Sequence, residues 1–445
     1  MKWLVRLLNS VLLFLTTDLI LLCSWFSVSL WVGIPGGVCL AVLFVVINIV
    51  PRYRAAKNRW AVMNDGRELV YLFLITLAAN IAFQIWFGIE VFSKQTGHAA
   101  FFVNLVFCIV LEAALAVNGT LRIIILSKQL GMVKKVLFLF LWWLPIFNLV
   151  LLYQMVHTAK QEYELETEKE ELNSVRKENE ICRTKYPVLM VHGVFFRDLK
   201  YWNYWGRIPK ELKRNGAEVY YGNQQSAASV EECAVELKTR IEEVMAETGA
   251  EKVNIIAHSK GGLDSRYTIS LLGMDHYVAS LTTINTPHRG CAFADYLLHK
   301  IPKSVCNMIA RKYNSALKKL GDPNPDFMAA VQDLTEESCR AFNERVLDAE
   351  NVYYQSTASK MSRWNSAPFP QWMSYLLVKH FDKDNDGLVG VQAAKWGSKF
   401  TLLETKGRRG ISHGDMIDLN RENIKGFDVR EFYVGVVHGL KEMGF

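Results

Sequence analysis

The sequence predicts an α/β domain, a mostly parallel sheet with helices on both faces, preceded by an all-α transmembrane bundle. Three observations carry this. Apolar runs of about 20 residues recur before residue 156 and not after it, the length that spans a hydrocarbon core. From Tyr186 onward short apolar segments alternate with longer amphipathic ones, the rhythm of strand, crossover helix and parallel strand. Between them, Ala257-His258-Ser259-Lys260-Gly261 follows the apolar run Val253 to Ile256 and precedes a helix-like stretch, which holds Ser259 on a tight strand-to-helix turn.

The first segment accounts for the composition. Hydrophobic residues make up 51% of the 445, with mean hydropathy +0.09, too apolar for an ordinary soluble enzyme. Five membrane helices are expected: Ser10 to Leu30, Trp31 to Val50, Leu69 to Phe92, Ala99 to Leu121 and Val136 to Val156. The first is too long for a secretory signal and is read as uncleaved. Lys2, Arg6, Arg52, Arg54, Lys57, Arg59, Arg67, Arg122, Lys128, Lys134 and Lys135 fall on one side, against Lys94 alone on the other. That asymmetry sets the amino terminus inside. Five crossings then place everything beyond residue 157 on the extracellular face of what reads as a bacterial plasma membrane. Asp18 and Glu112 read as neutral carboxyls hydrogen-bonded within the bundle, and Asn80, Asn104 and Asn118 as helix-packing contacts.

The net charge of +7 comes with these membrane-flanking loops. No nucleic-acid fold is visible, so a bilayer and not a nucleic acid is the expected partner, and no protein partner is identifiable. Eight cysteines include three in the membrane helices, and the remaining five show neither a disulfide framework nor metal-ligand spacing.

Three domains result: the transmembrane region 1–156, a charged helical stalk 157–185 acting as an exposed spacer, and the α/β domain 186–445. Within the last, strands are expected at Pro187 to Val191, Glu218 to Tyr221, Val253 to Ala257, Tyr277 to Ile284, Val352 to Tyr354 and Phe400 to Leu403. Helices are expected at Leu199 to Asn215, Val230 to Thr248, in a long stretch from Cys291 to Leu347, and at Asp428 to Leu440.

A serine hydroxyl is a poor nucleophile at neutral pH. Acyl transfer needs an imidazole to take its proton and a carboxylate to orient that imidazole. Ser259, Asp386 in Asp386-Gly387-Leu388-Val389 and His413 in Ser412-His413-Gly414-Asp415 supply these in the chain order that a strand-to-helix nucleophile turn requires. Asp384 and Asp382 compete with Asp386, and His380 and His438 with His413. The backbone N–H groups of Lys260 and of Val194, in the loop after the first strand, are the expected oxyanion donors. Asp382 to Gly387 imitates an EF-hand start, but position twelve is Ala393 and the bidentate ligand is missing. His192, His258 and His288 read as hydrogen-bonded supports of the site. Phe195, Phe196, Tyr201, Trp202, Tyr204 and Trp205, with Trp364, Trp372 and Met373, read either as core or as an apolar acyl-chain cleft.

These segments resemble the lipases of the Pseudomonas and Burkholderia type: Lys185 to Gly193, Tyr204-Trp205-Gly206-Arg207-Ile208-Pro209, Lys252 to Ser259, Thr286-Pro287-His288-Arg289-Gly290, Asn385 to Gly390 and Ser412 to Asp415. The resemblance covers most of the last 260 residues and none of the first 180. It implies an α/β-hydrolase fold, esterase chemistry on acyl lipids, and a helical lid drawn from the stretch after Gly290. It also implies a calcium site that Asp415 matches but whose second aspartate is here Ser366, so no cofactor is expected and Asp415 is only a weak calcium candidate. The family's disulfide, when present, uses a cysteine shortly after the catalytic aspartate, and that place here is Gln392. The expected function is a membrane-anchored serine hydrolase of acyl-lipid esters. Acyl transfer to another alcohol, or a non-enzymatic sensor or transporter with a degenerate hydrolase domain, remain as alternatives.

Overall fold

The computed structural model describes residues 2–50, 58–95, 97–194, 203–367, 371–407 and 409–445, and divides into two compact units, Met1–Leu172 and Asn173–Phe445. In the first unit, α1 (Lys2–Thr17) and α2 (Leu19–Trp25) meet at a 70° bend at Asp18. There follow α3 (Leu30–Phe44), continued by a π-helical turn at Val45–Ile49, then α4 (Arg59–Lys94) and α5 (His98–Leu126). Among the described residues three helices are long and apolar enough to cross a membrane, or four if the bent pair is one span. Their polar side chains pair inside the bundle. Asp18 Oδ1 accepts from Gln84 Nε2 at 2.6 Å and Asn104 Nδ2 at 3.0 Å, and Glu112 Oε1 accepts from Asn80 Nδ2 at 2.6 Å. Asn118 Nδ2 donates to the Ile49 carbonyl at 3.3 Å.

The expected fifth crossing is instead two helices, α6 (Met132–Leu141) and α7 (Pro145–Arg176). Pro145 cannot continue the preceding helix, because it has no N–H to donate and its ring disfavours helical geometry at Leu144. The chain turns back between them, and Phe138 of α6 shares one cluster with Leu151, Leu152 and Met155 of α7. Glu162, almost fully buried, then accepts from Ser127 Oγ at 2.6 Å, the amides of Lys128 and Gln129 at 3.1 and 3.2 Å, and Arg59 Nη2 at 3.0 Å. A continuous helix would carry residue 162 roughly 45 Å beyond residue 132. The chain thus returns to the end of the bundle that α5 reached, and the stretch expected as a fifth crossing, Val136 to Val156, is a broken pair of helices. The charged stalk differs too. Helix α7 runs unbroken into it as far as Arg176, and Ala159, Glu162, Glu166, Lys169 and Asn173, spaced three and four apart, are buried along one face.

In the second unit the α/β expectation is met by a six-stranded, wholly parallel sheet in the order β2-β1-β3-β4-β5-β6. The strands are β1 (Val188–Val191), β2 (Val219–Tyr221), β3 (Val253–His258), β4 (Val278–Ile284), β5 (Tyr353–Ser359) and β6 (Lys399–Leu403). Successive side chains face opposite ways. Val188, Met190 and Ile256 meet one helical layer, and Leu189, Val191 and Ile255 the other. Around the sheet lie α8 (Ile208–Arg214), α9 (Val230–Thr248) and α10 (Gly261–Leu271). The single long helical stretch expected after Cys291 is four helices, α11 (Ala292–Lys300), α12 (Lys303–Lys319), α13 (Phe327–Gln332) and α14 (Glu336–Arg345). Pro302 and Gly321 mark the first two breaks, and Thr335 caps the start of the last helix. After them come α15 (Gln371–Phe381), the short α16 (Val391–Ala394) and the closing α17 (Val429–Glu442). Of the helix expected at Leu199 to Asn215, only the part from Ile208 forms among the described residues.

Candidate active site

Central strands β1, β3 and β4 pair Val191 with Ala257 and Ala257 with Thr283, so their carboxyl ends finish level with one another. There Ser259 joins β3 to α10 with φ +56°. Few non-glycine residues adopt that region, and a small fraction of strained positions does so where the fold over-determines them. Its amide is tied to the Ile284 carbonyl at 2.9 Å. A side chain at position 261 would collide with the His192 carbonyl, and one at 193 would come within 2.7 Å of Ser259 Cβ. Both glycines are therefore required by close approach. Lys260 sends its side chain away from the turn to Asp264, with Nζ to Oδ1 at 2.6 Å and both groups 2% exposed. Burial pushes the Asp264 carboxyl up to about 7.

Asp386 follows β5 and His413 follows β6. His413 Nδ1 lies 2.6 Å from Asp386 Oδ2, and Asp386 is 1% exposed. The other carboxylate oxygen accepts from the amides of Leu388 at 2.9 Å and Val389 at 2.7 Å, and the His413 amide donates to the Asp386 carbonyl at 2.8 Å. The carboxylate is thus oriented by its own turn before it meets the imidazole. Asp384 is mostly exposed and lies near Lys360 instead. His380 is exposed beside Phe381, and His438 Nδ1 lies 3.0 Å from the Ile181 carbonyl, so neither competes geometrically with His413.

Ser259 and His413 line one cavity of about 110 Å³, with Val194, Tyr204, Phe327 and Leu388 among its walls. No hydrogen bond holds the Ser259 hydroxyl among the described residues, as is common where such a contact tightens only with substrate present. The amides of Val194 and Lys260 likewise make no hydrogen bond among the described residues. Tyr204 lines the cavity, whereas Trp205 is core, packed on Tyr433. Trp364 packs on Trp372. Phe195, Phe196, Tyr201 and Trp202 lie outside the described residues, as does the side chain of Met373.

The supporting histidines are all buried. His192 lies 2.9 Å from the Gln224 carbonyl through Nε2. His258 meets Tyr204 Oη at 2.7 Å through Nδ1, and its ring stands 4.4 Å from that of His413. Burial, and behind it His413, holds His258 well below the usual imidazole range. His288 lies 2.9 Å from Thr283 Oγ1 and is held low by burial and the nearby Arg266. The tyrosine in this support was not legible as such in the sequence, because only the sheet brings residue 204 to residue 258.

Asp415 does not fit a calcium site. Its Oδ2 accepts from the Ser412 amide and hydroxyl, each at 2.8 Å, and its Oδ1 from Arg409 Nη2 at 3.0 Å. The same guanidinium donates through Nε to the Ser366 carbonyl at 2.8 Å. A cationic side chain therefore sits against the carboxylate that a metal would need. Among the described residues there is no group of three or more histidine, cysteine or acidic side chains placed to hold a metal.

Residues 187–352 match the palmitoyl protein thioesterase family model. The chain is 31% identical over 239 residues to the triacylglycerol lipase of Vibrio cholerae, a match covering 48% of this chain and 75% of that protein. The chain belongs to the triacylglycerol lipase family. Its lipase-family unit is also 35% identical over 173 residues to the triacylglycerol lipase of Burkholderia plantarii, covering 36% of this chain and about half (48%) of that relative. Among solved structures it is similar to Staphylococcus hyicus lipase at 18% identity and a TM-score of 0.47, covering 59% of this chain and 97% of that one.

Proposed function

We propose that the chain is a membrane-anchored serine hydrolase of acyl-lipid esters, with Ser259 as nucleophile, His413 as general base and acid, and Asp386 as its orienting carboxylate. The observation that carries this reading is the buried 2.6 Å contact between His413 and Asp386 at the wall of the cavity that also exposes Ser259. His413 Nε2 takes the Ser259 proton as Oγ attacks the ester carbonyl carbon. The resulting oxyanion is met by the amides of Val194 and Lys260. Collapse breaks the bond to the alkoxy oxygen, which leaves as an alcohol with the proton from His413. Water, deprotonated by the same imidazole, then attacks the acyl-enzyme and releases the fatty acid.

Ser259→Ala is expected to lower ester turnover by about 10⁶, to the residual level that binding and oxyanion donors alone sustain, and to abolish fluorophosphonate labelling. Undiminished turnover or labelling in this variant rejects the assignment. A wild type that fluorophosphonate never labels supports the non-enzymatic alternative.

We infer a compartment from the basic residues of the bundle. Arg6 pairs with Glu68, Arg59 with Glu162, and Arg122 Nη2 donates to the Ile49 carbonyl, which gathers the basic residues at one end. Basic ends of such bundles face the cytoplasm. Because α7 brings the chain back to that end, we read the catalytic unit as cytoplasmic, in place of the extracellular placement expected from five crossings.

A further inference from the structure

From Tyr296 to Gly321 the chain carries six lysine and arginine residues and no acidic one. Five of the six, Lys303, Arg311, Lys312, Lys318 and Lys319, stand exposed on α12 and form no ion pair among the described residues. The inner face of the helix is anchored. Cys306, Ala310 and Leu317 are buried, and Ala310 packs in one cluster with Phe327 and Val331, two residues that wall the catalytic cavity. On the outer face Val305, Met308 and Ile309 are 38%, 46% and 43% exposed. A helix with aliphatic side chains leading its solvent face, cations following, and no acid to repel phosphates has the make-up of one that lies in a lipid headgroup layer.

We propose that α12 is a docking surface for an anionic phospholipid leaflet, with Val305, Met308 and Ile309 entering the acyl boundary and Arg311, Lys312, Lys318 and Lys319 pairing with headgroup phosphates. A bilayer and not an acidic protein is the occupant because the same chain carries helices that can span one. The leaflet facing the cytoplasm is also the anionic one. The proposal goes beyond the catalytic reading, since docking needs no chemistry at Ser259. It places α12, packed through Ala310 on two walls of the catalytic cavity, against the layer that holds lipid esters.

The test uses the full chain in nanodiscs of phosphatidylcholine, alone or with phosphatidylglycerol added. Ser315→Cys, on the exposed face of α12, carries a polarity-sensitive fluorophore, and the labelled parent chain without that substitution sets the background. Phosphatidylglycerol should shift the emission to the blue, and high salt should reverse the shift. Replacing Arg311, Lys312, Lys318 and Lys319 together by glutamine should raise the phosphatidylglycerol fraction needed by at least about tenfold, since each cation near such a surface contributes on the order of 1 kcal/mol. Met308→Ser with Ile309→Ser should leave a weaker, wholly salt-sensitive shift. Turnover of a short soluble ester is expected to be unchanged in these variants and reports that they are folded. Should no ester be turned over, the emission still reads docking, so failure of the catalytic reading stays separate. Equal emission in both lipids, an undiminished response in the glutamine variant, or an equal response to polyglutamate in phosphatidylcholine alone overturns the proposal.

Discussion

Arg409 holds the loop of the candidate base from outside the site. Its guanidinium ties the Asp415 carboxylate to the Ser366 carbonyl, and Asp415 in turn fixes Ser412, next to His413. Removing one partner of a largely buried ion pair leaves the other charge stranded, at a cost of about 3 kcal/mol. Arg409→Met is therefore expected to lower both thermal stability and turnover, the latter about tenfold or more, with calcium failing to restore either. Restoration by calcium would show that a metal and not a guanidinium suits this loop. Two further residues set a pH dependence. His258 and His288 are fully buried and held below their usual value of 6.5. The unfolded chain binds protons that the folded chain refuses, so the stability these residues contribute is present above that value and lost as pH falls through it. Each contributes a slope of about 1.4 kcal/mol per pH unit. Calorimetry of the second unit's transition between pH 7 and pH 5 should show the decline, and His288→Gln should reduce it by about half.

Among the elements, the turn between β3 and α10 is the least tolerant. Gly261 sits so close to the carbonyls of Val191 and His192 that a methyl group cannot enter without moving β1 or α10. Gly261→Ala is expected to destabilise the unit by about 2–3 kcal/mol, read as a lowered midpoint in denaturant, with turnover falling further than stability because Ser259 shifts with the helix. A fully active, equally stable variant would show the approach to be slack. The six strands were legible because buried parallel strands are short continuous apolar runs, and Val188 to Val191 and Val253 to His258 are of that kind. The helices after Cys291 were legible only as one stretch. Pro302 and Gly321 could have marked two of the breaks, but how Ala294, Ala310, Phe327 and Val331 pack together is a long-range fact that local periodicity does not carry.

At the scale of the whole chain the sidedness of the bundle decides which ester pool is available. Protease treatment of intact cells is expected to leave the second unit uncut, and cleavage at Lys185 or beyond only after the membrane is opened. Release of that fragment from intact cells would restore the outward placement that five crossings imply. The two placements differ because of Pro145. Hydropathy alone cannot tell a crossing helix from a hairpin that enters and returns, since both bury the same apolar residues.

The order of Ser259, Asp386 and His413, the parallel α/β plan and the apolar bundle could all be read from the chain, because each is written in local chemistry: a turn, a period, a run long enough for lipid. Which groups meet is settled only by folding. Asp386 and not Asp384 reaches His413, Tyr204 reaches His258, Arg409 takes the Asp415 carboxylate, and Glu162 draws α7 back to the loop it had left. Each of these contacts joins residues whose separation along the chain says nothing of their separation in space.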